Sequence, residues 1–348
     1  MKIVIDDKIP YIRESIGKIT DDAVYIRGSR IGPDDVRDAD ALIVRTRTRC
    51  DRRLLEGSRV SFVATATIGI DHMDTVWMER EGIEWANCPG CNAGSVAQYV
   101  LSSMLRLRKD RPEWWHEGIT AGIVGFGHVG KRVKEVFDRL GFRVIVNDPP
   151  AGIEDGVSLE RIGSEADIIS FHVPLVMDGP YSTWRLGGGR FFRSIGSKKP
   201  YIINTSRGGV VDERLLLEAI RSGVVGGAII DTWEGEPYIN RDLMGEAFIA
   251  TPHIAGYSAD GKVTADNMVL DSLCRHFGVE RPPEIEMPPL PEDKKEGKGF
   301  LDLYDPMADC ERLRRNPERF EELREDYPVR RERAPWLDEK GIGCYLRL

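Results

Sequence analysis

Short apolar runs alternate with helical stretches from the first residue of this chain, and that rhythm narrows the possible folds more than any other feature. "KIVID" (2–6), "AVYIRG" (23–28), "ALIVRT" (41–46), "VSFVATAT" (60–67) and "IEWANC" (83–88) are brief, rich in Val, Ile or Ala, and bounded by polar or turn residues. Such runs read as buried strands. A helix is expected from about Asn92 to Arg108, ending at "KDRP" because proline disfavours helix at the residue before it. A second set of strands follows: "AGIVG" (121–125), "RVIVND" (143–148), "DIISFHV" (167–173), "YIINTS" (201–206), "GGAIIDTW" (226–233) and "AFIATPH" (247–253). Strands in alternation with helices argue for parallel sheets covered on their faces.

Helices fill the gaps. "DERLLLEAIRSG" (212–223) has an acidic start and a glycine just past its end, and a helix over roughly 259–277 carries the chain back toward the first sheet. Then the character changes. "ERPPEIEMPPLPEDKKEGKG" (280–299) is rich in proline and charge with no apolar period, which reads as a linker or surface strap. The remainder is Arg- and Glu-rich with scattered anchors (Phe300, Leu303, Tyr304, Phe320, Leu323, Tyr327, Trp336, Tyr345). So short a segment buries little alone, so it leans on the rest of the protein or on a second copy.

Composition bounds the function. Over 348 residues, 41% are apolar and 30% charged, an ordinary globular balance, and the net charge of −8 argues against a broad nucleic-acid or anionic-membrane surface. No run approaches the ~18 apolar residues of a membrane span. The start, "MKIVIDDKIP", reaches Asp6 and Asp7 too early for a signal peptide. Six dispersed cysteines do not form a disulfide framework, and a cytoplasmic location is expected. Cys88-Pro-Gly-Cys91 lacks the further ligands of a zinc site and reads as a turn. His72 is expected to order a turn. His116 has no second His at helical spacing, and no metal is expected.

"GIVGFGHVGKRV" contains Gly125-x-Gly127-x-x-Gly130, following a strand and opening a helix. In that context Gly125 permits the tight turn, Gly127 lets backbone approach a pyrophosphate, and Gly130 lets helix and strand pack closely. The helix N-terminus supplies N–H donors to the phosphates. The next strand ends at Asp148, where a carboxylate accepts from the adenosine ribose and repels a 2′-phosphate, so NAD is expected over NADP. The expected fold is therefore α/β: two Rossmann- or flavodoxin-like doubly wound parallel-sheet domains around a cleft, plus a small C-terminal dimerisation segment. The expected divisions are 1–94 with 258–284 for substrate, 95–257 for NAD, and 285–348 for the C-terminal segment.

Chemistry on such a sheet lies on loops at its carboxyl edge. "NTSRGGVVD" offers Arg207 between a strand and thin glycine backbone, "DTWEGEP" offers Asp231 and Glu236, and "TPHIAGYS" offers His253. Hydride transfer from a secondary alcohol needs a proton moved the other way, for which histidine with a carboxylate partner is suited. An arginine beside them can hold a substrate carboxylate in bidentate fashion. Each residue singly reads as structural; together they form a coherent site.

"VGFGHVGKRV", "NTSRGGVVD", "DTWEGEP" and "TPHIAGYS", in this order, resemble the motifs of the D-isomer-specific 2-hydroxyacid dehydrogenases. "ATATIGIDHMD", "CPGCNA", "DGPYSTWRL", "TPHIAGYSADGK" and the tail "NPERFEELREDYPVRRE" are similar to a branch acting on 4-phospho-D-erythronate in vitamin B6 synthesis. The resemblance implies that His253 is the acid/base, Glu236 its partner and Arg207 the substrate-orienting group. It implies that Asp148, Thr205, Ser206, Arg207, Asp231 and Gly256 touch NAD, and that Thr46, Thr67 and Tyr257 line the substrate site. Val173 in "FHVPL" stands where that branch carries threonine, which removes one hydroxyl contact to the cofactor. The tail is also shorter than the branch's dimerisation domain. A homodimer is implied. Another substrate such as glycerate or phosphoglycerate, or a non-catalytic NAD-sensing role, stays open.

"VRTRTRC" places Arg45, Arg47 and Arg49 with Thr46 and Thr48 after a strand. If the segment is extended, alternation puts the arginines on one side and the threonines on the other. Arg45 and Arg47 then hold a substrate phosphate, or form an ordinary solvated basic edge.

Overall fold

The computed structural model describes residues 1–297 and 299–334 and divides into two compact units. Trp336, Cys344 and Tyr345 lie outside the described residues.

The first unit, 1–92 with 258–289, is built on a parallel sheet of β1 (Ile3–Asp6), β2 (Ala23–Ile26), β3 (Ala41–Val44), β4 (Phe62–Thr65) and β5 (Glu84–Ala86), in spatial order β2-β1-β3-β4-β5. Every residue of β1, β3 and β4 is buried, as their unbroken apolar runs require when both faces are covered. The helix Ala259–Phe277 closes one face, setting Val269, Leu270 and Leu273 against Ile3, Ile43 and Phe62. Its ends follow local chemistry: the Ser258 hydroxyl accepts from the Gly261 N–H at 2.8 Å, and Gly278 ends the helix at φ 63°.

The second unit, 93–257 with 290–348, carries β6 (Thr120–Val124), β7 (Arg143–Asn147), β8 (Ile168–Phe171), β9 (Tyr201–Asn204), β10 (Gly227–Ile230) and β11 (Ile249–Ala250). The spatial order is β11-β10-β9-β8-β6-β7, all parallel. Strand order reverses between β6 and β8, and open α/β sheets bind ligands at the carboxyl end of such a switch. The helices Ala93–Asp110 and His128–Arg139 pack against each other over this sheet.

The C-terminal segment belongs to the second unit. Helix Pro306–Arg315 lies on β11 and on the Ala93–Asp110 helix. Cys310 and Leu313 are fully buried there, and so is Phe320 on the short helix Phe320–Glu325. Burying a side chain like Phe320 is worth ~2–3 kcal/mol. A buried arginine strengthens the join: Arg330 donates to the Ala255 carbonyl at 2.6 Å and to the Ser95 hydroxyl, with its guanidinium 4.3 Å from the Tyr304 ring centroid.

One local expectation differs. Residues 45–49 form a turn beyond β3, not an extended strand. Thr48 turns inward and donates to the Gly28 carbonyl at 2.8 Å, while Thr46, Arg47 and Arg49 are exposed. The buried hydroxyl bond bends the segment and removes the alternation. Cys88-Pro-Gly-Cys91 is a turn closed by Cys91 N–H to Cys88 O at 3.3 Å, and burial pushes the Cys88 thiol up. Among the described residues no cluster could hold a metal ion, and no helix is long and apolar enough to cross a membrane.

Candidate active site

Chain order and sheet order together distribute the second unit's polar residues along one edge. Moving across the carboxyl ends of the strands, Asp148 follows β7, the glycine loop follows β6, Val173 follows β8, Thr205–Arg207 follow β9, Asp231–Glu236 follow β10, and His253 follows β11.

The glycine loop fits a pyrophosphate. Gly125 has φ 91°, and a Cβ there would lie 2.5 Å from the His172 carbonyl oxygen. A Cβ on Gly130 would strike the Gly125 carbonyl, so the helix can approach the turn only because residue 130 is glycine. Gly127, the residue before helix His128–Arg139, is different: a Cβ there meets nothing within 4 Å. Its lack of a side chain therefore leaves open space at a helix N-terminus rather than relieving a clash, which is the cradle that phosphates need. Asp148 takes the Phe126 N–H at 2.7 Å and the Ala151 N–H at 3.3 Å, which fixes its carboxylate beside that loop. Val173 packs against Gly125, its Cγ1 2.7 Å from where a Cβ would stand.

Asn204 shapes the next loop. Its Oδ1 accepts from the Ser206 hydroxyl at 2.7 Å and from the Ser206 N–H at 3.2 Å, while its Nδ2 donates to the Arg207 carbonyl at 3.1 Å. Gly208 backs onto the Trp233 carbonyl, where no Cβ would fit, so thin backbone brings half-buried Arg207 next to the β10 loop. The Arg207 guanidinium also donates to the Ser206 carbonyl at 2.8 Å.

On the last two loops a histidine and a carboxylate meet. His253 Nδ1 lies 2.9 Å from Glu236 Oε2 and 3.1 Å from Oε1. The imidazole stays 29% exposed, so it is reachable as well as held. Glu236 Oε1 also accepts the Trp233 N–H at 2.9 Å. Burial pushes the Glu236 carboxyl up, but His253, the Trp233 N–H and the Arg324 charge outweigh it and hold it below the usual range. With Nδ1 engaged, Nε2 is the nitrogen left for a substrate proton.

Asp231 organises the histidine loop. It is 1% exposed and accepts from Thr251 Oγ1 at 2.7 Å, Ile254 N–H at 2.7 Å and Ala255 N–H at 2.9 Å. Its backbone carbonyl accepts the His253 N–H at 2.8 Å. Gly256 and Tyr257 follow, both half-buried, with the Tyr257 ring edge-on to Tyr327 at 5.9 Å.

Among the first unit's residues, Arg45 Nε donates to the buried Asp6 carboxylate at 3.2 Å. Thr67 bonds Thr65 Oγ1 at 2.7 Å and the Gly69 carbonyl at 3.0 Å, and His72 Nε2 reaches Thr65 at 3.1 Å. Since β3 and β4 are neighbours, Arg45–Arg47 and Thr67 share one sheet edge.

Sequence reasoning missed two features. His172 lies after β8 between Ser170 Oγ at 2.8 Å and Thr205 Oγ1 at 3.3 Å, and burial lowers it to about 3, so its ring is neutral and orients Thr205. The position of "FHV" directly after an apolar run is the signal that could have found it. Arg324 stands beside Glu236, with its Nη1 3.9 Å from Oε2, and nothing in the charged tail sequence distinguishes it from neighbouring arginines.

Comparison with known proteins agrees with this geometry. Residues 95–255 match the family model for the D-isomer specific 2-hydroxyacid dehydrogenase, NAD binding domain. Erythronate-4-phosphate dehydrogenase of Bacteroides thetaiotaomicron is 52% identical over 343 residues, covering 95% of this chain and 97% of that protein. The Porphyromonas gingivalis protein of the same name is 40% identical, with coverage of 95% and 94%. Among solved structures, NAD+-bound 3-phosphoglycerate dehydrogenase of Entamoeba histolytica aligns with a TM-score of 0.66 at 27% identity, over 80% of this chain and 95% of that one. The chain is an NAD-dependent oxidoreductase of the D-isomer-specific 2-hydroxyacid dehydrogenases, and it belongs within them to the erythronate-4-phosphate dehydrogenase family.

Proposed function

We propose that the chain oxidises the 2-hydroxyl of 4-phospho-D-erythronate to 3-hydroxy-2-oxo-4-phosphooxybutanoate, a step toward pyridoxal 5′-phosphate. The observation that carries this reading is 52% identity across 95% of the chain to a protein named for that substrate. The acceptor for the C2 hydride would be supplied by NAD held at the Gly125–Gly130 loop. His253 takes the hydroxyl proton on Nε2 while Glu236 steadies the imidazole through Nδ1, a pairing supported by the 2.9 Å contact. Arg207 orients the substrate carboxylate. Gly127 would let the pyrophosphate approach, with Gly125 and Gly130 shaping the turn and the helix packing behind it; Asp148 would accept from the ribose, and Val173, Thr205, Ser206, Arg207, Asp231 and Gly256 would line the rest of the cofactor. The Asp231 carboxylate already takes three internal donors, so its contribution there is to hold the histidine loop.

Arg45 and Arg47 hold the substrate phosphate, and Thr46, Thr67 and Tyr257 contact its remainder. Arg45 is suited to this because the buried Asp6 fixes its guanidinium. Residues 1–94 with 258–284 form the substrate domain, 95–257 the NAD domain, and 285–348 the pairing segment of a homodimer working in the cytoplasm. Free thiols at Cys50, Cys88, Cys91, Cys274 and Cys310 accord with a reducing compartment.

Steady-state assays with NAD should give the highest kcat/KM on 4-phospho-D-erythronate, with 3-phosphoglycerate and D-glycerate at least ten-fold lower. The likeness to a 3-phosphoglycerate dehydrogenase makes that acid the pertinent rival, and a preference for it would overturn the assignment.

A further inference from the structure

We infer that Arg324, carried by the C-terminal segment, is a positioning residue for the Glu236–His253 pair, its guanidinium holding the carboxylate aimed at the imidazole. The inference rests on the reading of His253 as the acid/base. Arg324 Nη1 is 3.9 Å from Glu236 Oε2, the oxygen closest to His253 Nδ1. That separation exceeds a hydrogen bond, so Arg324 acts through charge.

Its setting separates Arg324 from the arginines around it. The side chain is 12% exposed, whereas Arg312, Arg315 and Arg319 on the same segment are each more than half exposed. Solvated arginines of that kind contribute little. Arg324 is instead enclosed: its guanidinium lies 5.8 Å from the ring centroids of Tyr257 and Phe320, and Nη1 reaches Glu321 Oε1 at 3.4 Å. Its Nε is buried with no hydrogen-bond partner among the described residues. A guanidinium enclosed between Glu321 and the carboxylate that holds the histidine has more than a packing role.

The electrostatic consequence has a definite sign. A positive charge beside Glu236 favours the carboxylate and adds to the His253 contact and the Trp233 N–H in holding it below the usual range. Removing that charge lets Glu236 take up a proton at higher pH and loosen its hold on the imidazole, so the acid limb of kcat/KM moves upward.

The test is the pH profile of kcat/KM for 4-phospho-D-erythronate oxidation by the full chain, wild type against Arg324→Met, Arg324→Gln and Arg324→Lys. The acid limb should rise by roughly half a unit to one unit in the Met and Gln variants. Lysine, which keeps the charge, should return it close to the wild-type position. A purely structural role would lower the plateau without moving the limb, and an unmoved limb in a folded Met or Gln variant overturns the inference. His253→Ala separates the two levels. If it keeps the wild-type limb and plateau, the acid/base reading itself fails; if it abolishes them while Arg324→Met leaves the limb in place, only the role of Arg324 fails.

Discussion

His253 adopts φ 55°, a left-handed conformation uncommon for a residue with a side chain. Three consecutive donors hold it there: the His253 N–H on the Asp231 carbonyl, and the Ile254 and Ala255 N–H groups on the Asp231 carboxylate. Asp231→Asn would set an amide NH2 against a backbone donor. It should therefore cost about 1–3 kcal/mol and lower turnover more than NAD affinity. Thermal unfolding and kcat of the variant check this; unchanged values of both would show that the carboxylate does not hold the loop. Arg45→Ala addresses the phosphate in the same way. KM for phosphorylated acids should rise about ten-fold or more while plain D-glycerate is unaffected, a split worth about 1.4 kcal/mol. Equal losses on both would refute the phosphate role.

At the scale of elements, the glycine loop makes two opposed expectations. Gly127→Val enters open space and should leave the fold intact while weakening NAD at least ten-fold by calorimetric titration. Gly130→Val would drive side-chain atoms into the Gly125 carbonyl and should lower thermal stability by several degrees. The reverse pattern would mean that the loop is not a phosphate cradle. How much of this was legible in sequence depends on how local the cause is. Helix Ala259–Phe277 was readable because its Ser258 start and Gly278 stop are local signals. The strands were readable because burial on both faces demands unbroken apolar runs, although all but β6 are shorter than their runs, since polar loops carry the run's last residues off the sheet edge. The bend at 45–49 was not readable, because it depends on Thr48 meeting Gly28, a partner distant along the chain. Arg324 and Arg330 were hidden for the same reason. Their neighbours Glu236, Ser95 and Ala255 lie far away in sequence, and a charged tail without period gives no sign of which arginine turns inward.

At the scale of the whole molecule, both units hold a buried carboxyl that works against stability near neutrality. Burial raises Asp266 in the first unit and Glu213 in the second to about 7 each. Such groups bind more protons folded than unfolded. Their stabilising contribution is present below about pH 4 and is lost as pH rises through about 7. Relative to wild type, Asp266→Asn and Glu213→Gln should therefore gain melting temperature at pH 7.5 and lose that advantage near pH 5, as followed by calorimetry; an advantage independent of pH would contradict it. The proposed chemistry turns on His253, held by Glu236 at one sheet edge, as the base for the hydroxyl of a 2-hydroxy acid. The most direct measurement is single-turnover NADH formation from 4-phospho-D-erythronate by His253→Ala, with NAD affinity measured alongside. The rate should fall by about 10²–10⁴ with NAD binding near normal. A rate within a few-fold of wild type would contradict it.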